Sequence, residues 1–350
     1  TEYEVSVLVY GQNEDDVFKD NGVTFYKIKN IKLKGFSRFL TQNKIQRLIN
    51  NLVKNNKIDI LEAPDWTGIT SNIHSTCPII IRLHGSDTYF CYLEDRPVKF
   101  LNRYYEKKAL QKADGLLSVS RYTADLTKKL FSLHKEFMII PNGIDLEGFS
   151  DHEIENEENT ILYFGTLIRK KGALELPLIF NEVCKNNKNV KLILIGRDAS
   201  DIQSGNSSTW KMMQELFDDH ALKNVNYLGS VPYDEIKNHI ARASVCVFPT
   251  FAEALPLSWI EAMTMNKAIV ASNIGWANEV IEDSVSGFLV HPLSHKEYAQ
   301  KIQELLQNEK LRFQFGAQAR KKVEEEFCIE IVAKKNVEFY EEIIFRCKND

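Results

Sequence analysis

The chain has 350 residues, 44% of them hydrophobic and 26% charged, and a formal net charge of -4. That composition excludes a disordered, collagenous or coiled-coil chain, and its acidic balance argues against a nucleic-acid partner. The length suits two domains, each large enough for a core of its own.

Strand-like runs rich in Ile, Val and Leu occupy residues 4–10, 23–28, 58–61, 79–83, 115–119 and 137–140. Helical patterns separate them. In one, Phe39, Leu40, Ile45, Leu48, Ile49 and Leu52 recur at spacings that share a helix face. Residues 150–159 (SDHEIENEEN) are acidic and almost without apolar side chains, which marks a linker. The alternation then restarts, with strands expected at 161–164, 191–195, 225–228, 245–248, 268–271 and 288–290. A charged amphipathic helix at 331–345 closes the chain. No run reaches the roughly 18 apolar residues of a membrane-crossing helix. The six cysteines (Cys77, Cys91, Cys184, Cys246, Cys328 and Cys347) form no C-x-x-C pair and read as reduced structural thiols; no metal site is expected.

Short strands alternating with longer helices predict an α/β fold of parallel sheets covered by helices. The expected division is an N-terminal Rossmann-like domain over 1–150, a linker at 151–159 and a second such domain over 160–330. A helix at 331–350 is expected to pack back on the first domain. Ligands of such sheets bind beyond the carboxyl ends of the strands, so the residues that follow strands are the candidates.

After the strand at 161–164, Gly165 and Gly172 bracket Arg169, Lys170 and Lys171 ahead of a helical pattern. A glycine-bounded turn with three cations at a helix start suits a phosphate. After the strand at 245–248 come Glu253 in a loop and Glu261 among Leu257, Trp259, Ile260, Ala262 and Met263. A carboxylate in that apolar setting needs a hydroxyl or other donor. Two carboxylates framing a helix start suit a nucleotide sugar. After the strand at 79–83, His84 and Gly85 leave toward the cleft. Each feature also has an ordinary reading: solvated cations, an acid favoured by a helix dipole, a structural histidine.

The order of motifs is more specific than any one of them. RLHGSD at 82–87, SVSRYT at 118–123, PNGID at 141–145, FGTLIRKKG at 164–172, LILIG at 192–196, YLGSVP at 227–232 and FAEALPLSWIEAM at 251–263 span nearly the whole chain. In this order they resemble the retaining glycosyltransferases of family 4, which have the GT-B architecture. The resemblance implies a nucleoside diphosphate sugar as donor substrate, bound mainly by the C-terminal domain, with no further cofactor. Lys171 would pair with its diphosphate and Glu261 would accept from ribose. Glu253, with the backbone N–H groups of Ala254 and Leu255, would meet the sugar and phosphate. Backbone near Ser230 and Val231 would frame the base, and His84 would face the transferred sugar. Many members have Arg where this chain has Thr166; Arg169 is expected to supply the second cation.

The implied reaction is metal-independent transfer of a hexosyl group to a carbohydrate or lipid-linked acceptor, with retention, in bacterial-type polysaccharide or glycolipid assembly in the cytoplasm. No D-x-D triplet occurs. Glu62, Asp65, Trp66, Ser120 and Arg121 are expected to line the acceptor side. Two rival readings are a nucleotide-sugar epimerase of similar architecture and a non-catalytic sugar-nucleotide-binding subunit. Residues 21–60 hold nine Lys or Arg against one acid, Asp59, a basic face suited to peripheral contact with an anionic membrane. Family members open with a strand, a glycine-rich loop and a helix before a strand like residues 4–8. The resemblance therefore implies that roughly 30 residues, one βα unit, are missing from the first domain.

Overall fold

The computed structural model describes residues 3–149 and 156–349. The first part contains two sheets. β1 (Ser6–Gln12) runs parallel to β3 (Val23–Lys29), and β2 (Asp16–Asp20) pairs antiparallel with β3. Next to them, β4 (Leu61–Pro64), β5 (Ile79–Leu83), β6 (Gly115–Ser118) and β7 (Met138–Ile139) form a parallel sheet in that order. The strands of the first half are thus divided between two sheets, and β1 and β4 are not hydrogen-bonded to each other. Its helices are α1 (Ser37–Lys54), α2 (Asp87–Leu93), α3 (Phe100–Lys112) and α4 (Arg121–Phe131).

The second part holds one six-stranded sheet of order β10-β9-β8-β11-β12-β13, parallel throughout. Its strands are β8 (Thr160–Phe164), β9 (Lys191–Ile195), β10 (Val225–Tyr227), β11 (Val245–Phe248), β12 (Ile269–Ser272) and β13 (Phe288–Val290). This is the doubly wound Rossmann order, whose direction reverses between its first and fourth strands, here β8 and β11. The helices are α5 (Glu175–Asn186), α6 (Thr209–Leu216), α7 (Asp219–Leu222), α8 (Tyr233–Arg242), α9 (Leu257–Thr264), α10 (Ala277–Val280), α11 (His295–Gln307), α12 (Glu309–Lys322) and α13 (Ile329–Asn349). Every residue of β8, β11 and β12 is buried, because helices cover both faces of a parallel sheet.

The closing helix α13 returns to the first domain. Its Val332, Phe339 and Ile343 pack with Ile80 and Leu117 of the four-stranded sheet and with Ile140, which follows β7. Buried Arg82 of β5 donates from Nε and Nη2 to Glu62 at 2.8 Å each, and from Nη2 to Asn336 of α13 at 2.6 Å. Tyr340 of the same helix donates to Glu62 at 2.6 Å.

Some expectations shift. Ile45, Ile49 and Leu52 of α1 are buried as the spacing predicts, but Phe39 is 52% exposed. The fourth strand starts at Leu61 instead of residue 58, where the Leu61 N–H reaches the Pro78 carbonyl and pairing with β5 begins. Of the expected linker, residues 151–155 lie outside the described residues.

Candidate functional site

The reversal between β8 and β11 opens a crevice beyond their carboxyl ends, and the loops leaving these strands carry the motif residues. The two loops are tied together. Phe251 and Ala252 donate their N–H groups to the Lys170 carbonyl at 2.8 and 3.2 Å. Gly172 has φ +72°, and a Cβ there would run into the Pro249 carbonyl, so only glycine lets the loops meet. This junction sets Lys171 Nζ 3.0 Å from Glu253 Oε1. The amides of Ala254 and Leu255, next in the loop, have no hydrogen-bond partner among the described residues.

Glu261 lies on α9, 7% exposed. The Tyr233 hydroxyl, at the start of α8, donates to its Oε1 at 2.7 Å. Burial raises the pKa of Glu261, while the Tyr233 hydrogen bond and the Lys171 charge pull it back. Ser230 and Val231 occupy the turn between β10 and α8, Ser230 exposed and Val231 half-buried. They stand beside Tyr233 in the chain.

Arg169 is committed elsewhere. Its Nε and Nη2 donate to the two oxygens of buried Asp201 at 2.9 and 2.8 Å, a two-pronged pair that holds the loop after β9. The Arg169 guanidinium, expected as a second phosphate cation, is thus paired with Asp201. Lys170 reaches into the facing domain, its ammonium 3.6 Å from the Phe90 ring centroid.

From the first domain, His84 is exposed at the end of β5, and its ring makes no hydrogen bond among the described residues. Surrounding protein that displaces solvent lowers its pKa, and the Arg82 cation adds to this. Its backbone N–H donates to Asp65 Oδ1 at 3.1 Å. Asp65 is buried, and its other carboxyl oxygen has no partner among the described residues. Burial pushes its pKa up to about 7, with the charge of Glu106 adding and the His84 and Gly85 amides opposing.

The residues expected on the acceptor side separate. Trp66 is exposed, whereas Glu62 is locked to Arg82 and Tyr340, and Asp65 lies beneath the His84 backbone. Ser120 is buried in the domain interface, where it caps α4 and donates to the Ala254 carbonyl at 2.8 Å. The Arg121 and Tyr122 amides donate to Glu279 of the other domain at 2.7 and 2.8 Å. Sequence reasoning misses Tyr89, Thr123, Tyr233 and Glu279. Two have a local cue: Thr123 ends the SVSRYT motif, and Tyr233 directly follows YLGSVP. A cavity of about 500 Å³ lies beside Lys170, with Trp66, Phe90, Arg96, Asp201 and Phe251 in its wall. Among the described residues no group of three or more His, Cys, Asp or Glu side chains could hold a metal ion. No helix among them is long and apolar enough to cross a membrane.

Residues 146–322 match the family model described as glycosyl transferases group 1, and residues 2–147 match that of glycosyltransferase family 4. An uncharacterized glycosyltransferase of Methanocaldococcus jannaschii is 24% identical over 349 residues, 97% of this chain and 90% of its own. The capsular polysaccharide biosynthesis glycosyltransferase CapM of Staphylococcus aureus is 28% identical over 200 residues, 55% of this chain and 50% of its own. The fold is that of HepE from Anabaena, solved in complex with UDP. The TM-score is 0.73 at 16% identity, over 91% of this chain and 86% of that one. Two Rossmann-like domains, the motif order and the family match agree: the chain belongs to the glycosyl transferases group 1 family and has the GT-B fold.

Proposed function

We propose that this glycosyltransferase moves a hexosyl group from a nucleoside diphosphate sugar to an acceptor hydroxyl, with retention of anomeric configuration and without a metal ion. One observation carries the reading: at the switch point of the second sheet, the Lys171 ammonium and Glu253 carboxylate meet beside two amides that have no partner among the described residues. When the bond between the anomeric carbon and the diphosphate breaks, the diphosphate leaves with both electrons. Lys171 and the Ala254 and Leu255 amides stabilise that charge by preorganised electrostatics. Glu253 orients the sugar hydroxyls, and Glu261 accepts from ribose with the oxygen that Tyr233 leaves open. The turn at Ser230 and Val231 borders the base. His84, whose lowered pKa keeps the ring neutral at pH 7, faces the transferred sugar.

Retention through a covalent intermediate needs a free carboxylate nucleophile. Glu253 is held by Lys171 and Glu261 by Tyr233, which supports same-face substitution instead. The acceptor hydroxyl then attacks on the face that the diphosphate departs, and its proton passes to the leaving oxygen. The cavity with Trp66 in its wall suits a carbohydrate acceptor, whose ring faces stack on an exposed indole.

Exposed Ile31, Leu33, Phe36 and Phe39 flank Lys32 and Lys34. Apolar side chains beside cations support contact with an anionic membrane that presents a lipid-linked acceptor. Sedimentation with liposomes tests this, and binding that ignores anionic lipid content refutes it. The test of the main reading is Lys171→Ala and Glu261→Ala in a transfer assay with the best-binding donor. Both should lose activity, and diphosphate release should require acceptor. Full activity in folded variants overturns the assignment, and release of rearranged donor without acceptor means epimerisation.

A further inference from the structure

The loop that carries Glu253 is gripped from the opposite domain. The Tyr89 hydroxyl of α2 donates to the Glu253 carbonyl at 2.7 Å. The Ser120 hydroxyl donates to the Ala254 carbonyl at 2.8 Å, and Thr123 Oγ1 lies 3.2 Å from the same oxygen. All three side chains are buried. A trans peptide unit is planar, with its C=O and the following N–H pointing in opposite directions, and no cis bond occurs among the described residues. The Glu253 carbonyl shares its plane with the Ala254 amide, and the Ala254 carbonyl shares its plane with the Leu255 amide. Pinning the two carbonyls to the first domain therefore aims the two amides away from it. These are the amides that have no partner among the described residues.

We propose that Tyr89, Ser120 and Thr123 are positioning residues through which the first domain shapes a two-amide seat for the outer phosphate of a nucleoside diphosphate. The seat is complete only while the cleft is closed. This rests on the nucleotide-sugar reading above. Other contacts hold the same closed state, among them Glu279 on the first amides of α4 and Lys170 over the Phe90 ring. When the domains part, the three hydroxyls leave, the carbonyls turn to water, and the loop's peptide planes rotate freely.

The test is titration calorimetry of the full chain and its variants with UDP and GDP, and with UMP and GMP, which lack the outer phosphate. Tyr89→Phe and Thr123→Val should each weaken diphosphate binding about tenfold, the scale of one buried hydrogen bond. Monophosphate binding should not change, and Thr123→Ser, which keeps the hydroxyl, should stay within about twofold of wild type. Circular dichroism melts establish that each variant is folded, and either one alone decides. Unchanged diphosphate binding, or equal loss for both nucleotide classes, overturns the positioning role. A wild-type chain that binds no nucleotide overturns the nucleotide-sugar reading itself.

Discussion

Lys171 Nζ lies 3.0 Å from Glu253 Oε1, so the cation proposed for the leaving group and the carboxylate proposed for the sugar hold each other. The contact exists because the Lys170 carbonyl takes two amides from the loop of Glu253. Both side chains remain partly open to solvent, at 28% and 16%. Such a pair contributes little stability, under about 1 kcal/mol, and its value lies in preorganisation.

Lys171→Met should therefore separate activity from stability. Transfer should fall by about 100- to 1,000-fold, as when a preorganised electrostatic donor is removed. Unfolding free energy should change by less than about 1 kcal/mol. Steady-state rates and urea melts on one preparation check both. Transfer within threefold of wild type would show that the leaving group is stabilised elsewhere.

Tyr233 and Glu261 yield a pH signature. Burial raises the Glu261 pKa and the Tyr233 hydroxyl opposes it, so Tyr233→Phe raises it further. Ribose hydroxyls bind the ionised carboxylate better than the acid. Nucleotide affinity should thus weaken as pH falls through the Glu261 pKa, and the variant's midpoint should move to higher pH. Titration calorimetry with a nucleoside diphosphate from pH 5 to 8 reads the shift. Coincident profiles would remove Tyr233 from this role.

The closing helix packs beside a partly buried ion pair, Arg82 with Glu62. Burial alone would raise the Glu62 pKa, but the Arg82 hydrogen bonds and charge override it and hold it below its usual value. Arg82→Met leaves Glu62 with only the Tyr340 hydroxyl. Breaking a pair that is only partly buried costs about 1–3 kcal/mol, and Glu62→Gln in the same chain should restore part of that loss. Urea unfolding of the single and double variants gives the coupling; additive losses would contradict a direct pair.

Strands buried on both faces are legible in the sequence. Ile79–Leu83, Val245–Phe248 and Phe288–Val290 have the bounds that the apolar runs indicate, since a covered parallel strand needs no polar face. β2 is not legible, because DVFKD is exposed throughout. Its one cue is the pair Asn21-Gly22, both at positive φ, which joins β2 to β3 in the hairpin geometry such dipeptides favour. The site divides in the same way. Lys171, Glu253 and Glu261 sit in local motifs, whereas Tyr89 meets the Glu253 carbonyl across 164 residues. No periodicity in one sequence pairs residues that distant. Arg169 shows the converse: three adjacent cations look alike in sequence, and only the structure shows that one of them pairs with buried Asp201.

Asp65 should make stability depend on pH in the direction opposite to an ordinary ion-paired carboxylate. It is buried, one oxygen has no partner among the described residues, and its pKa is pushed up from 3.8 to about 7. Between these values the folded chain keeps a proton that the unfolded chain gives up. The contribution is therefore fully present below the unfolded pKa and is lost as pH rises through about 7. Asp65→Asn keeps an oxygen for the His84 amide and cannot ionise. Urea unfolding at pH 5 and pH 8 should find the variant gaining about 3 kcal/mol on wild type across that interval. A gap that stays constant would mean that Asp65 is already ionised at pH 5, and that its orphaned oxygen finds a donor in solution.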